Sequence, residues 1–445
     1  MSSEYSNIQI STISRPAIAN RNEWIAYWKA LGQEWRTEPE IDMERQDFLA
    51  QHLAIKVDLD EGIYQFRGVK LNRADVEWLL AQHEDGRGPV NWRDPEHFTR
   101  VGIDLRGADL RGANLRALPL SHMLGGLNGR ERNRAQEGRD MAAVHLEGAI
   151  LSEAHLERAE LYMAHLERTD FFKARLAGAS LRKAHLEGAS LRLAYLAAID
   201  EREKEDEKTL TTSSAVRPLP PADLRAVFLD SVTDLRNAHL GNEKYGFVRL
   251  SDVHWADVNL AIIDWSLIKI LGDEGRARAQ SREKRVDNET LIESYREAVR
   301  ANRQLAVALQ GQGLNEEATR FLYRAQVLQR EVVRLQGRTG AYIFSAFLDI
   351  LAGYGYQPIR SVIAYLLVLT CFAIIYFILG HIVGPPLSPV GAVVFSITSF
   401  HGRGFFPGGI KLDDPITIMA AVEAIIGLTI EISFIATFTQ RFFGN

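Results

Sequence analysis

The sequence predicts a multidomain protein in which a mainly helical N-terminal domain, a repetitive solenoid and a helical hairpin precede a C-terminal membrane domain. Leucine recurs at every fifth position through the middle of the 445-residue chain, and the last fifth contains two uncharged apolar segments of membrane length. A chain of this length accommodates several domains. The predicted divisions are 1–100 for the N-terminal domain, 101–266 for the solenoid with insertions at 118–141 and 199–221, 267–287 for a charged linker, 288–340 for the hairpin and 341–445 for the membrane domain.

Composition argues against several classes of function. The formal net charge of −5 does not favour a nucleic-acid partner. The sequence has no glycine-rich phosphate loop, no Cys/His set at metal-ligand spacing and no nucleophile placed beside a base, so we expect no enzyme activity, catalytic residue, metal or cofactor. The only cysteine, Cys371, lies in the first apolar segment, so the chain forms no intrachain disulfide, which fits a cytosolic location for most of it.

A five-residue period runs from Ile103 to Trp265 and indicates a solenoid. The period fits neither an α-helix nor a β-strand, and it is typical of coils that bury their apolar side only by stacking. The triplet His145-Leu146-Glu147 recurs at 165–167 and 185–187, which places four pentapeptides in one coil. The pattern resembles the pentapeptide-repeat proteins. This resemblance implies a right-handed quadrilateral β-helix with the central Leu or Phe and the preceding small residue inside.

The same spacing stacks three histidines, His145, His165 and His185. Because neighbouring coils lie about 4.8 Å apart, we expect the imidazoles to form a column. The interpretation that we favour is an exposed polar rib beside the glutamates of the three triplets; a metal ladder and a pH sensor are the functional alternatives. A DNA-mimic role, known among pentapeptide-repeat proteins, is disfavoured because residues 141–198 contain seven acidic and seven basic side chains.

The C-terminal domain has the pattern of a membrane pore. Ser361–Gly380 and Ile416–Phe438 are each long enough for a helix that crosses the roughly 30 Å hydrocarbon core. Between them the apolar run Val390–Ser399 is too short to cross and leads into a glycine-rich loop, so we expect a re-entrant pore helix and a filter. Tyr342–Leu351 is amphipathic and is predicted to lie in the interface ahead of the first span.

Positive charge predicts the topology. Arginines at 330, 334, 338 and 360 precede the first span, and an arginine at 441 follows the second. The positive-inside rule therefore predicts a multi-pass protein of the plasma (cell inner) membrane with both termini in the cytoplasm.

Residues 360–445 resemble the two-transmembrane pore domain of the potassium-channel superfamily, so the chain as a whole resembles a bacterial pentapeptide-repeat protein with such a domain at its C-terminus. The resemblance places the hinge glycine at Gly427. It assigns the end of the pore helix and the selectivity filter to Thr398, Ser399, Phe400, His401, Gly402, Arg403 and Gly404. Phe400, His401 and Arg403 replace the threonine, valine and tyrosine of a potassium filter, so potassium selectivity is not expected.

Glu423, Gly427 and Glu431 are spaced by four and share one face of the second span. We expect this face to line the pore and contribute to gating. In a tetramer, Glu431 would form an acidic ring below the filter that favours cations. For Glu423, a structural pair with Arg403 or His401 is an open alternative.

These features together predict a homotetrameric ion channel with weak cation selectivity, gated or regulated by a cytoplasmic pentapeptide-repeat domain. The expected partners are membrane lipid, permeating monovalent ions, further copies of the chain and a cytoplasmic protein or ligand on the β-helix. The alternative is a non-conducting, membrane-anchored scaffold for protein interaction. Since the charged linker is expected to insulate the β-helix, we also expect the pore to assemble without it.

Overall fold

The structure is a computed structural model that describes residues 15–16, 20–134, 140–199, 218–244, 246–283, 285–382, 386–402 and 414–443. It divides into two compact units. The repeat unit comprises Met1–Asp287 and Arg300–Ala318, and the membrane unit comprises Asn288–Val299 and Thr319–Asn445. The two helices predicted for the hairpin are present and contribute residues to both units. They span Asn288–Gly311 and Asn315–Leu335 and are named α6 and α7 in chain order.

The repeat unit begins with three helices, each of which starts at a polar cap. They are α1 (Arg21–Ala30), α2 (Met43–Leu53) and α3 (Arg73–Gly86). The side chains of Asn20, Asp42 and Asn72 accept hydrogen bonds from backbone N–H groups of the first turns. Those N–H groups have no partner within the helix, so the caps stabilise each start. The helical character predicted for this segment is confirmed.

After α3 the chain forms coils that pair in parallel. Backbone bridges join residues twenty apart at four positions of a coil, namely His145 with His165, Ile150 with Asp170, His155 with Arg175, and Glu160 with Ser180. The periodic leucines and the alanines before them are buried. Thr169, which replaces one alanine, donates its hydroxyl to the carbonyl of Leu146 at 2.7 Å. Stacking therefore builds a continuous core that a single coil could not bury.

The turns of the coils hold a left-handed backbone. Glycine fills some of these positions, as at Gly148 and Gly188 with φ of 67° and 71°. Side chains occupy others, with φ between 56° and 60° at Glu153, Arg158, Met163, Arg168, Lys173, Lys183 and Leu193. Each such residue costs of the order of 1 kcal/mol, which the stacked core offsets.

The solenoid departs from its predicted insertions. Residues 118–127 were assigned to the first insertion, but Pro119 and Leu124 form parallel bridges to His155 and Glu160. The coil therefore continues well past residue 118. A helix, α4 (Glu131–Arg134), follows this stretch. Most of the second predicted insertion, residues 200–217, lies outside the described residues.

The segment predicted as a charged linker is folded onto the end of the solenoid. A short antiparallel hairpin, β1 (Gly241–Asn242) and β2 (Gly246–Phe247), precedes helix α5 (Gly272–Arg282). Asp273 and Glu274 of α5 are each only 1% exposed. A carboxylate oxygen of Asp273 accepts a hydrogen bond from the Leu250 N–H at 2.7 Å. An insulating linker was expected here, but both carboxylates are buried and Asp273 binds a backbone N–H of the solenoid, so these residues pack against it.

Gln304 of α6 and Gln312, the residue after α6, bind the same end of the solenoid. Gln304 accepts a hydrogen bond from the Asp252 N–H at 2.8 Å. Gln312 accepts from the Leu260 N–H at 2.8 Å and donates to the Val258 carbonyl at 2.6 Å. A side-chain amide offers both a donor and an acceptor, so each glutamine supplies bonds that a further coil would make. The open edge, which could otherwise pair with another chain, is thereby partly covered.

The membrane unit contains four further helices. They are α8 (Thr339–Ala352), α9 (Pro358–Ile382), α10 (Pro389–Phe400) and α11 (Pro415–Phe443). Ile359–Ile382 and Pro415–Ile435 are long and apolar enough to cross a membrane, whereas α10 is too short. These helices favour membrane association of the chain, as the sequence predicts.

The short helix α10 packs against both long helices. It starts at Ser388, whose hydroxyl oxygen accepts a hydrogen bond from the Gly391 N–H, with Pro389 in its first turn. One buried cluster joins the three helices through Phe372, Tyr376, Ala392, Phe395, Ile416 and Ala420. Many outward side chains of α9 and α11 are exposed and apolar, such as Leu367 and Ile425, which suits contact with lipid or with another chain.

Candidate functional site

The face of α11 that carries Glu423, Gly427 and Glu431 packs along α10. Glu423 is fully buried. One of its carboxylate oxygens accepts a hydrogen bond from the Tyr376 hydroxyl at 2.7 Å, and the other accepts from the Ser396 hydroxyl at 2.5 Å. Glu423 therefore ties α9, α10 and α11 together. The alternative pairing with His401 is wrong, because His401 binds a different carboxylate; Arg403, its other predicted partner, lies outside the described residues.

Gly427 lies against the end of α10. A Cβ atom added to Gly427 would stand 2.2 Å from the carbonyl oxygen of Phe400. Only glycine permits this approach, as is common where helices meet closely in membranes. The predicted hinge role remains a prediction, but the close packing is a separate reason for glycine at this position.

Phe400 is a core residue of the membrane unit. It is 1% exposed and its ring meets that of Tyr365 edge to face, with centroids 4.8 Å apart. Leu351 of α8 and Ile430 of α11 belong to the same cluster. The Phe400 side chain therefore packs within the membrane unit, although the sequence placed this residue in the filter.

The remaining described residues of the predicted filter surround the end of α10. The Thr398 hydroxyl donates to the Phe395 carbonyl at 3.0 Å, and Ser399 is buried. Gly402 has φ of 65°, a left-handed conformation typical of the residue that ends a helix. Arg403 and Gly404 lie outside the described residues.

His401 and Glu431 are in hydrogen-bond contact through Nδ1 and a carboxylate oxygen. Their side chains are 41% and 37% exposed, so the pair is reached by solvent in the single chain. The sequence placed the two residues in a filter and in a separate acidic ring. The sequence analysis did not predict that His401 and Glu431 are partners. They meet because the end of the short helix α10 faces the middle of α11.

A second polar centre, which sequence reasoning missed, surrounds Asp349 of α8. Its carboxylate accepts hydrogen bonds from the Tyr323 hydroxyl at 2.9 Å, from Arg330 at 2.7 Å and from Arg360 at 3.0 Å. Burial and the adjacent carboxylate raise the pKa of Tyr323. The centre joins α7, α8 and the start of α9. A lone aspartate within an apolar segment was the available signal.

The predicted histidine column is present in the repeat unit. Ring centroids of His145 and His165 are 4.5 Å apart and those of His165 and His185 are 5.5 Å apart, with nearly parallel planes. Phe228 continues the stack at 4.5 Å. Each histidine Nδ1 faces the glutamate of its own triplet, at 3.1, 3.4 and 3.3 Å along the column.

Comparison with known proteins agrees with the repeat. The family described as Pentapeptide repeats matches residues 140–176 and 169–197, in eight copies. A pentapeptide repeat protein from the thylakoid lumen of Arabidopsis thaliana is 20% identical over 34% of this chain and 66% of its own, with a TM-score of 0.12. One from the cyanobacterium Cyanothece 51142 is 22% identical over 33% of this chain and 87% of its own, with a TM-score of 0.11.

HetL, a pentapeptide repeat protein of the cyanobacterium Nostoc involved in heterocyst differentiation regulation, is 20% identical over 41% of this chain and 79% of its own, with a TM-score of 0.12. A comparison with curated proteins gave no significant match. The middle of the chain is thus a pentapeptide-repeat segment, and the findings support a pentapeptide-repeat protein with two candidate membrane helices.

Proposed function

We propose that the chain is one subunit of a homotetrameric, weakly cation-selective ion channel whose pore is built from α9, α10 and α11. The main support is the placement of α10, a 12-residue helix whose end lies beside Tyr365 and Ile430, within the two candidate spans. The chain that follows the C-terminal end of α10 must therefore start at membrane depth. Non-helical backbone at this depth requires either protein contacts or a water-filled cavity, and a pore around a fourfold axis provides both.

In this channel Glu423 is a structural residue. Its bonds to Tyr376 and Ser396 hold α10 against both spans, so the base of the filter is rigid. Gly427 touches the Phe400 carbonyl, so a bend of α11 at this glycine would move the start of the filter. The contact between His401 and Glu431 would then lie between filter and cavity, where four copies of Glu431 beside neutral imidazoles would favour cations.

The Asp349 centre is the proposed coupling element. Because it joins α7, α8 and α9 within the membrane unit, a displacement of α7 would be transmitted to the start of the first span. Regulation by a cytoplasmic repeat domain, folded as a right-handed quadrilateral β-helix, would act on this element. Cytoplasmic termini, a plasma-membrane location and a bacterial origin belong to the same proposal.

Reversal potentials of the purified full-length protein in planar bilayers test the proposal. Under potassium, sodium and chloride gradients we expect cation currents with little preference between potassium and sodium. Gly427→Ala should abolish or sharply reduce them, because the added methyl meets the Phe400 carbonyl. Ile425→Val, which removes one methyl from the exposed face of the same helix, is the matched control and should conduct normally.

Two outcomes would contradict the channel. A monomer or dimer in native mass spectrometry would leave no enclosed pore. A folded tetramer without current would instead favour the non-conducting scaffold. Strong potassium selectivity would keep the channel but contradict weak selectivity, and Arg403→Gln would then show whether the arginine sets the preference.

A further inference from the structure

We propose that the histidine column of the repeat unit binds two divalent ions of the zinc class. One ion is held by His145, Glu147 and His165, and the other by Glu167, His185 and Glu187. In each set one ligand atom from every residue lies within 4.8 Å of the other two. The proposal concerns the repeat unit alone and does not depend on channel function.

One His–Glu distance within each set suits a shared ion. The Nδ1 atoms of His145 and His185 stand 3.1 and 3.3 Å from carboxylate oxygens of Glu147 and Glu187. A charge-assisted hydrogen bond between such groups is shorter, roughly 2.7–2.9 Å. In a tetrahedral zinc site with bonds near 2.1 Å, by contrast, neighbouring ligand atoms are separated by about 3.4 Å. The His–Glu pairs therefore already have the spacing of two ligands on one ion.

The carboxylates have unused capacity for a cation. The second oxygen of each of Glu147, Glu167 and Glu187 is buried and has no hydrogen-bond partner among the described residues. A buried carboxylate oxygen without a partner is costly, and an ion held by both oxygens of the carboxylate would satisfy it. Among the residues that the structure describes, each of these glutamates lies within 4.0 Å of one basic side chain, the histidine of its own triplet.

The neighbouring face of the solenoid carries a similar His–Glu pair but already has a cation beside its carboxylate. His155 and Glu157 repeat the same local pattern, at 3.7 Å, but Arg175 follows His155 on the next coil and approaches the same carboxylate at 3.9 Å. Glu157 also accepts a hydrogen bond from Ser121 at 2.8 Å. The guanidinium of Arg175 is therefore already the cation near the carboxylate on that face. The face with three histidines has no arginine at this position, so it is the one suited to a metal ion.

The ligand types select the ion. Imidazole nitrogen with carboxylate oxygen suits zinc and its neighbours, whereas magnesium and calcium prefer oxygen alone. The side chains are 30–41% exposed, so modest rotations can close the remaining gap and a water can complete each ion.

The test is a zinc titration of the chelator-stripped, full-length protein in detergent, in competition with a chromogenic chelator. We expect about two tight equivalents for the wild type and none for the triple variant Glu147→Gln, Glu167→Gln, Glu187→Gln, which keeps side-chain shape. His165→Asn should lose at least one equivalent. His155→Asn, the matched control on the neighbouring face, should keep both.

Thermal unfolding gives an independent readout. Zinc should raise the Tm of the wild type and of His155→Asn but not that of the folded triple variant, because binding only to the native state stabilises it. Equal zinc binding by the wild type and the triple variant would overturn the proposal. An equal rise in Tm with magnesium would overturn the assignment to nitrogen ligands.

Discussion

The repeat unit and the membrane unit distribute their stabilising contacts in opposite ways. In the repeat unit the same contact recurs, since a buried leucine, a small residue and a parallel bridge return on every coil. In the membrane unit the decisive polar contacts occur once each, at Glu423 and at Asp349. Repetition spreads the free energy of unfolding over equivalent positions, whereas single contacts concentrate structural specificity in a few side chains.

Truncation of one core leucine tests the recurring contacts of the repeat unit, and we expect it to lower the free energy of unfolding more than any other variant below. Leu166 is fully buried, so Leu166→Ala should lower the free energy of unfolding by about 3–4 kcal/mol. Val232→Ala, at a position 70% exposed in the same solenoid, should cost less than about 0.5 kcal/mol. Chemical denaturation followed by circular dichroism measures both. A loss below about 1 kcal/mol for Leu166→Ala would mean that the core is loosely packed.

Removing the buried carboxylate tests the membrane side. Glu423→Ala leaves the Tyr376 and Ser396 hydroxyls without their acceptor, which should cost about 2–3 kcal/mol. Glu423→Gln keeps an acceptor and a polar side chain of the same shape and should cost about 1 kcal/mol or less. Thermal unfolding in detergent compares them. Equal losses for the two variants would show that the hydrogen bonds contribute little.

The pH dependence of stability tests a single buried group within the repeat. Burial raises the pKa of Glu160 from 4.5 to about 7, with Arg132 opposing the shift. The folded state then holds this proton more tightly than the unfolded state, so the stabilisation is complete below pH 4.5 and is lost as pH rises through 7. With partial solvent screening the loss should be about 2 kcal/mol.

Denaturation at pH 4.5 and at pH 7.5 measures how much the free energy of unfolding falls between these pH values. Glu160→Gln is the control, and its free energy of unfolding should not show this fall. If the variant and the wild type respond identically to pH, the dependence arises from other groups.

The smallest expected effect concerns the end of the solenoid. Gln304→Ala and Gln312→Ala should each cost about 1 kcal/mol, because each leaves backbone groups of the last coil without a partner. The double variant should also self-associate through the uncovered edge. Gln310→Ala, at an exposed glutamine of the same helix, is the matched control. Light scattering and denaturation report the two consequences; a monodisperse, fully stable double variant would contradict the capping role.

The same contacts revise an expectation about deletion. Deletion of the residues up to about Arg285 was predicted to leave a membrane-inserted tetramer with altered gating. Gln304 and Gln312 lie beyond that cut yet bind the last coil, so the deletion would remove their partners. The repeat unit does not end at the predicted linker.

Features that repeat, or that depend on neighbouring residues, could be predicted from the amino-acid sequence. A spacing of twenty specified the bridge between His145 and His165 and hence the histidine column. Apolar length indicated the two candidate spans, and Ser388 with Pro389 marked the start of the short helix between them. These features follow from local geometry, because each coil places the next one at a constant sequence distance.

The contacts that occur once could not be predicted from the sequence and are visible only in the folded chain. The partners of Glu423 are 47 and 27 residues away in the sequence, and no periodicity points to Tyr376 or Ser396. Likewise, the charged composition suggested a linker at Asp273, but the open edge of the last coil makes burial of this carboxylate favourable. A carboxylate is buried where hydrogen-bond donors converge on it, and that convergence exists only after distant segments have packed together.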